Sequence, residues 1–177
     1  TKCIFDKSKI IRESFILLVG DTTQLPASYS SGGHVSDLDY CDFTGDMMPE
    51  ILHGRFSAQT PIHLSSQINK TIEYEKFEFP DPSFLSKTLM VSGVDASYAP
   101  TYGNGQINYG NQYYFNSNHG YNTNYTYLYP ESDGNVAATI RGHVSSGVGF
   151  ANYTAHGYEQ GWADPSFTTS DVNNLSN

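Results

Sequence analysis

The chain has 177 residues, a formal net charge of −9 and two cysteines, Cys3 and Cys41. This length allows one ordinary domain or two smaller units, and so few cysteines exclude a disulfide scaffold or a zinc ribbon. The acidic balance argues against a nucleic-acid-binding protein, because such proteins present basic side chains to the phosphates. With 14 Tyr and 10 Phe the chain is not expected to be disordered. Its apolar runs are too short for a transmembrane segment.

The first half of the chain is predicted to hold a strand, a long loop, a short strand and a helix. Residues 14–20 form an apolar run typical of a strand that is buried on both faces. Residues 22–36 are rich in Ser, Gly, Thr and Pro, as loops are. A short strand is expected at 51–56, and residues 62–77 have the apolar spacing of an amphipathic helix. The sequence Pro-Asp-Pro at 80–82 then marks the best internal boundary.

After this boundary the pattern restarts and predicts three strand–helix pairs. Strands are expected at 88–94, 124–129 and 148–155, with helices at 106–117, at 134–145 and from a cap at Thr168 or Thr169. We expect Ile107, Tyr114 and Phe115 to face inward from the first of these helices. The alternation predicts an α/β fold with a parallel sheet flanked by helices.

Polar side chains follow three of the predicted strands: Asp21, Asp95 and His156. In such sheets the chemistry lies at the carboxyl ends of the strands. A histidine there can act as a general base and acid, an aspartate can orient its ring, and the N–H of Gly157 can help to bind an oxyanion. From the pattern alone, a loop histidine and a turn-capping aspartate are the more frequent outcomes.

An acidic run occupies residues 37–50, with the carboxylates of Asp37, Asp39, Asp42, Asp46 and Glu50. Together with Asp21 it offers oxygen ligands for a hard cation such as Ca²⁺, and a solvated acidic turn is the equal alternative. Neighbouring carboxylates raise a thiol pKa, so neither Cys41 within the run nor Cys3 resembles an activated nucleophile. The other five histidines lack metal-ligand spacing and are interpreted as surface or packing residues: His34, His53, His63, His119 and His143. Trp162 is expected either to line a pocket or to pack.

Residues 147–157 read Gly-Val-Gly-Phe-Ala-Asn-Tyr-Thr-Ala-His-Gly and are followed by Trp-Ala-Asp-Pro-Ser at 162–166. This segment resembles the gingipain family of cysteine endopeptidases, peptidase family C25, and within it the lysine-specific members. The likeness extends back through residues 93–95, 54–57, 45–50 and 17–21. It therefore covers nearly the whole chain from Phe15 onward.

The resemblance implies a caspase-like α/β fold with two side-by-side subdomains, truncated in this chain. Residues 1–80 would be the C-terminal part of the first subdomain, with the acidic loop. Residues 81–177 would be the N-terminal part of the second, caspase-like subdomain, with the catalytic histidine.

The same resemblance implies the roles of the site residues. His156 matches the catalytic histidine of the family, Asp95 its acidic partner, and Gly157 the glycine whose N–H contributes to the oxyanion hole. Positions that bind a structural calcium ion are matched by Asp21, Asp46, Met48 through its carbonyl, and Glu50. Thr44 stands where relatives carry a further Asp ligand. No catalytic cofactor is implied.

Three departures from the family concern the nucleophile and the substrate pocket. The nucleophilic Cys of the family ends the strand after the catalytic histidine, so the resemblance implies that it lies outside this chain. Arginine-specific members carry an acid near the position of Gln106, and no carboxylate occurs here between Gln106 and Asn118. The acid of the lysine-specific pocket comes from beyond this chain. Tyr158 replaces a small Ser of close relatives.

The resemblance thus implies part of a secreted or cell-surface bacterial cysteine endopeptidase that acts on protein or peptide substrates. Lysine is the candidate residue before the cleaved bond, and Thr154 and Trp162 are candidates for the pocket wall. The chain alone is expected to be inactive without the remainder of the catalytic domain. One alternative is a non-catalytic, calcium-stabilised homologue that binds peptides or partner domains. The other is a peptidase of the same family that processes secretion signals.

Overall fold

The computed structural model of the protein describes residues 15–29 and 33–176, so the prediction for Cys3 lies outside the described residues. The chain divides into two compact units, Thr1–Phe79 and Pro80–Asn177. Each unit contains parallel strands together with helices. The expected α/β class is therefore confirmed.

In the first unit, strand β1 (Phe15–Val19) pairs in parallel with β4 (Leu52–Phe56). The expected loop between them contains a short antiparallel pair, β2 (Ser28–Tyr29) with β3 (Val35–Ser36). The prediction that β1 is buried on both faces was wrong. Leu18 is the one buried residue in that strand, and Phe15 is largely exposed. An apolar run specifies a strand, but its neighbours decide how many faces are covered.

Helix α1 (Pro61–Lys76) follows β4, and its ends are set by local chemistry. The hydroxyl of Thr60 accepts a hydrogen bond from the His63 N–H, and Pro61 occupies the first helical position, where no N–H is needed. The helix ends at Lys76 and is capped by Phe77, which adopts the left-handed conformation with φ of 58°. None of the residues of α1 is buried.

In the second unit, β5 (Lys87–Ser92) is the central strand of a three-stranded parallel sheet. It lies between β6 (Thr123–Tyr127) and β7 (Phe150–Thr154), and five of its six residues are buried. On one side of this sheet, Leu89 and Val91 form the core together with Ile140. Ile140 comes from helix α3 (Ala137–Ser145). Thus β6, in which polar residues alternate with tyrosines, is an edge strand of this sheet, and β5, which contains the continuous apolar run, is the central strand.

The remaining elements of this unit are a helix that packs against β5 and three short strands and a helix that follow β7. A π-helical turn (Ala99–Gly103) leads into helix α2 (Asn104–Tyr113), which packs against β5. After β7 come three short antiparallel strands, β8 (Gly157–Tyr158), β9 (Gly161–Trp162) and β10 (Phe167–Thr168). Thr168 then starts helix α4 (Thr169–Asn173) with a capping box, as its sequence predicts. Among the described residues, no helix is long and apolar enough to cross a membrane.

The inward face of α2 differs from the expectation at one position. Ile107 is buried and Phe115 is half-buried, but Tyr114 is largely exposed. The helix ends at Tyr113, so the predicted helical phase no longer applies to Tyr114. The carbonyl of Gly110 accepts hydrogen bonds from the N–H groups of both Tyr114 and Phe115, which turns the chain at this point.

Candidate functional site

The residues after β5 and β7 meet at the carboxyl end of the parallel sheet. Ser92 and Thr154 are paired in register at the ends of these strands. The segments that follow the two strands contain Asp95 and His156, respectively. His156 Nε2 lies 3.2 Å from Asp95 Oδ2, which is hydrogen-bonding distance. Two residues that are far apart in sequence thus form one pair because their strands are neighbours.

Asp95 is held rigidly at this site. Its Oδ1 accepts hydrogen bonds from the N–H groups of Ser97 at 2.9 Å and Tyr98 at 3.0 Å, so Oδ2 is directed at the imidazole. The Tyr98 N–H lowers the pKa of the Asp95 carboxyl, Ser97 and His156 add to this effect, and desolvation opposes it. Asp95 is therefore an anion at neutral pH and can orient the ring and stabilise its protonated form.

The main chain of His156 is fixed by Tyr153. The Tyr153 hydroxyl donates to the His156 carbonyl at 2.8 Å and lies 3.1 Å from the Asp164 carbonyl. The ring of Tyr153 stacks on Trp162 with centroids 4.4 Å apart and planes 6° apart. The His156 side chain itself is 80% exposed, whereas that of Asp95 is 18% exposed. The site therefore combines an anchored backbone with an imidazole that is open to an incoming group.

Gly93 allows these segments to approach each other closely. Its N–H donates to the Thr154 carbonyl, and the next residue, Val94, donates to the Asp164 carbonyl. A Cβ on Gly93 would lie 2.5 Å from the Cβ of Ala155 and 2.6 Å from the Asp164 oxygen. A glycine is needed here because a side chain would separate the strand ends that hold Asp95 and His156.

Gly157 and Trp162 lie opposite each other in the β8–β9 hairpin. Gly157 is exposed beside His156, and a Cβ there would lie 3.3 Å from the Gly161 carbonyl oxygen. Trp162 packs between Tyr153 and Phe167 and also lines a groove of about 460 Å³. Both interpretations of Trp162 thus fit its position.

Thr154 is linked to helix α2 through a polar chain that the sequence did not reveal. Asn152 Nδ2 donates to Thr154 Oγ1 at 3.0 Å, and Thr154 Oγ1 donates to Gln106 Oε1 at 3.2 Å. Gln106 and Asn152 also line a cleft of about 210 Å³. Residues two apart in a strand share a face, which is the signal that joins Asn152 to Thr154; the partner on α2 depends on tertiary packing.

The acidic run of the first unit folds into a compact loop with three converging carboxylates. Ligand oxygens of Asp42, Asp46 and Glu50 all lie within 4.8 Å of one another. The loop is shaped by its own carboxylates: Asp42 accepts from the Gly45 and Met47 N–H groups, and Glu50 accepts from the Thr44 hydroxyl.

Of the residues predicted to bind calcium, the structure brings Asp46 and Glu50 together, and the carboxylate of Asp42 lies beside them. Asp21 is not part of this described group: its carboxylate accepts from the Thr22 N–H, Ser57 and Gln59. These bonds, led by the one from Gln59, lower the pKa of Asp21 against the effect of desolvation. Asp42 belongs to the acidic run that the sequence offered as a source of oxygen ligands, but it was not in the set implied by the family resemblance.

Cys41 and His143 take structural positions. Cys41 is fully buried, and burial raises the pKa of its thiol, with a further contribution from Asp37. That environment suppresses the thiolate. His143 stacks on Tyr125 with ring centroids 3.7 Å apart, and its Nε2 lies 2.8 Å from the Tyr127 hydroxyl. The prediction of packing roles for these two residues fits their surroundings.

Comparisons with known proteins identify the family. A sequence model of peptidase family C25 matches residues 2–177. Lys-gingipain of Porphyromonas gingivalis is 42% identical over 164 residues, which are 92% of this chain and 9% of that protein. The solved structure of a protease is 39% identical with a TM-score of 0.81, over 98% of this chain and 38% of that one. The Arg-specific cysteine proteinase gingipain R is 27% identical with a TM-score of 0.73, over 96% and 40% of the two chains.

These matches confirm the caspase-like parallel-sheet architecture expected from the sequence. The chain spans less than half the length of each of these proteins. The family match, in contrast, covers nearly every residue of the chain. The chain therefore belongs to peptidase family C25, the gingipain-like cysteine peptidases.

Proposed function

We propose that this chain is the part of a secreted, gingipain-like cysteine endopeptidase that supplies the catalytic histidine. The observation that carries the proposal is the hydrogen-bonded pair of His156 and Asp95, 3.2 Å apart at the ends of neighbouring parallel strands. Its exposed imidazole beside an oriented carboxylate is the arrangement that acid–base catalysis needs. The nucleophilic Cys belongs to a part of the protein outside this chain.

The proposed reaction divides the work between that Cys and this chain. The Cys thiolate attacks the carbonyl carbon of the substrate, and the N–H of Gly157 helps to hold the negative oxygen that forms. The C–N bond then breaks, and His156 transfers a proton to the departing amine. Because Nε2 faces Asp95, Nδ1 is the ring nitrogen available for this transfer. Water then attacks the thioester carbon and gives a proton to His156, and the C–S bond breaks to release the carboxylic acid product and restore the thiolate.

The proposed residue before the cleaved bond is lysine. Lys-gingipain is 42% identical to this chain, compared with 30% for Gingipain R2. Gln106 is a neutral amide where arginine-specific members carry an acid. Thr154, which is hydrogen-bonded to Gln106, and Trp162 are the proposed wall residues of the substrate pocket.

A structural calcium ion in the acidic loop is part of the proposal. Asp42, Asp46 and Glu50 converge within 4.8 Å and are hard oxygen donors, which suits Ca²⁺. The Met48 carbonyl and Asp21 remain the further ligands inferred from the family. The ion would neutralise the mutual repulsion of these carboxylates and hold the loop closed.

The test of the catalytic role uses the complete protein that contains this chain. Cleavage of peptides with a lysine before the cleaved bond is measured for the wild type, His156→Ala and His143→Ala. His143→Ala is the control, because His143 is a histidine in a packing position. We expect His156→Ala to lower kcat by at least about 100-fold, the usual contribution of a general acid–base residue. His143→Ala should keep wild-type kcat once its folding is verified. Equal kcat for His156→Ala and the wild type would exclude the proposed role.

A further inference from the structure

The backbone carbonyl of His156 accepts two hydrogen bonds from within this chain. One comes from the Ala163 N–H at 3.1 Å, and the other comes from the Tyr153 hydroxyl at 2.8 Å. The first is the kind of bond that antiparallel strand pairing supplies. The second is a side-chain bond that strand pairing does not supply, so the direction of this carbonyl is fixed more firmly than a hairpin alone would fix it.

The same peptide group contains the N–H of Gly157, which is the proposed oxyanion donor. A trans peptide group is planar, and its C=O and N–H bonds point in opposite directions within that plane. Whatever fixes the direction of the His156 carbonyl therefore also fixes the direction of the Gly157 N–H. A hydrogen bond to the carbonyl of an amide in addition polarises the amide and makes its N–H a stronger donor.

Strand pairing determines which way this N–H points. His156 and Ala163 are joined by a backbone hydrogen bond just before the β8–β9 hairpin, and Gly157 and Trp162 are the next pair toward its turn. Hydrogen-bonded and non-hydrogen-bonded pairs alternate along antiparallel strands. The Gly157 N–H is therefore directed away from β9, and the hairpin leaves it available for a developing negative charge.

The proton of the Tyr153 hydroxyl is directed at His156 by its other neighbours. A phenol has one proton to donate, and the other carbonyl within reach, that of Asp164, already accepts the Val94 N–H. The hydroxyl oxygen can itself accept from the Asp164 N–H at 3.4 Å, and a hydroxyl that accepts one hydrogen bond donates another more strongly. The stacking of the Tyr153 ring on Trp162 holds the hydroxyl in place.

We propose that Tyr153 is a positioning residue for the oxyanion hole. Its hydroxyl holds the peptide group between His156 and Gly157 so that the Gly157 N–H faces the oxygen on which negative charge develops. This role rests on the proposed peptidase function. The negative oxygen exists only in the transition state and the tetrahedral intermediate, so the hydroxyl should contribute to kcat and not to KM.

The experiment compares the complete protein that contains this chain with its Tyr153→Phe variant, which removes the hydroxyl and keeps the ring. We expect kcat for a lysyl peptide to fall about tenfold and KM to stay within about twofold of the wild-type value. Removing an oxyanion donor itself costs about 100-fold or more, whereas here the donor remains and its alignment is loosened. Active sites are counted with a peptidyl chloromethyl ketone that alkylates the nucleophilic Cys, so misfolded molecules do not enter kcat.

A second measurement isolates the interaction with the oxyanion. A peptide aldehyde ending in lysinal forms a C–S bond with the nucleophilic Cys, the thiol proton goes to His156, and the former carbonyl oxygen becomes negative as in the transition state. The matching peptide alcohol binds without forming this bond. We expect the ratio of the two inhibition constants, alcohol to aldehyde, to fall about tenfold in Tyr153→Phe. A loss of ground-state binding would weaken both inhibitors alike.

The matched control is Tyr127→Phe. Tyr127 is also half-buried and lies on the opposite edge strand of the same sheet, but its hydroxyl contacts Nε2 of His143. The variant thus loses a similar hydrogen bond away from the Gly157 peptide group. It should keep kcat and the inhibitor ratio within about twofold of the wild type.

A wild-type kcat in Tyr153→Phe would overturn the proposed role of Tyr153. So would a lowered kcat with an unchanged inhibitor ratio, or an equal loss in Tyr127→Phe. If His156→Ala abolishes cleavage in the same assays, each of these results counts against Tyr153 alone and leaves the proposed function standing. A wild-type kcat in His156→Ala would instead refute the proposed function and the role of Tyr153 with it.

Discussion

At the scale of single residues, the ionised Asp95 makes a pH-dependent contribution to stability. Its folded-state pKa is lowered, first by the Tyr98 N–H, so the stabilisation is complete above its unfolded pKa of about 3.9 and is lost as the pH falls through the folded value. We expect the free energy of unfolding of the wild type to exceed that of Asp95→Asn near about pH 5, where Asp95 is ionised, and the two to converge in stronger acid. Urea unfolding from about pH 2.5 to about pH 7, a range that brackets the ordinary carboxyl pKa values, measures this difference. A difference in unfolding free energy between the wild type and Asp95→Asn that stays constant to the lowest pH would contradict this prediction. Asp133→Asn is the control substitution.

Gly93 is the other residue on which the geometry of the site depends. In Gly93→Ala the new Cβ meets Ala155 at 2.5 Å and the Asp164 oxygen at 2.6 Å. We expect a loss of about 1–3 kcal/mol in the free energy of unfolding and a lower kcat/KM in the complete protein. Gly142→Ala on α3 is the control, because a Cβ there meets no described atom within 4 Å. It should be neutral or stabilising by up to about 1 kcal/mol. Equal stabilities of Gly93→Ala and Gly142→Ala would contradict this prediction, because they would show that the ends of β5 and β7 can move apart without loss of stability.

At the scale of elements, one arginine joins β4 to the loop that follows β1. Arg55 makes two parallel hydrogen bonds to Asp37, at 2.7 and 2.8 Å, and also donates to the carbonyls of Gly20 and Leu25. Arg55→Lys keeps the charge but loses the planar fork, so we expect it to cost about 2 kcal/mol in urea unfolding. Arg141→Lys is the matched control, since Arg141 makes a more exposed contact of 3.5 Å with Asp171. It should cost under about 1 kcal/mol. Equal costs would mean that the fork is not what stabilises the loop.

Elements with strong local signals were predictable, and their burial was not. The longer strands and helices follow from apolar runs and breakers, whereas the two-residue strands β2, β3 and β8 to β10 were not predicted. Thr168 is a cap because its hydroxyl and Asp171 satisfy each other across one turn. These interactions join close neighbours in sequence. The exposure of β1 and of Tyr114 instead depends on which other elements lie against them, and no local pattern contains that information.

At the scale of the whole molecule, the net charge of −9 means that a bound cation would reduce repulsion between carboxylates and so raise the stability of the fold. A ligand that binds only the folded state stabilises it by about 2.7 kcal/mol at a concentration of about 100 times its Kd. If Ca²⁺ binds the carboxylates of the acidic loop, the Tm should rise with Ca²⁺ and fall with chelator. Asp46→Asn should abolish this response, while Asp39→Asn, outside the converging group, should keep it. If chelator leaves the Tm of the wild type unchanged, the proposed calcium ion is not bound.

The sequence by itself determined the α/β class, the order of the longer strands and helices and the family motif around His156, and it predicted a break near Pro80. Tertiary structure alone decided that β5 lies between β6 and β7 and that Asp95 and His156 are therefore 3.2 Å apart. It also decided that Tyr153 anchors the His156 carbonyl, that Asp42 joins Asp46 and Glu50, and that Gln106 reaches Thr154. The physical reason is range: propensity, capping and apolar period act over a few residues, whereas strand pairing and side-chain contacts depend on how distant segments pack.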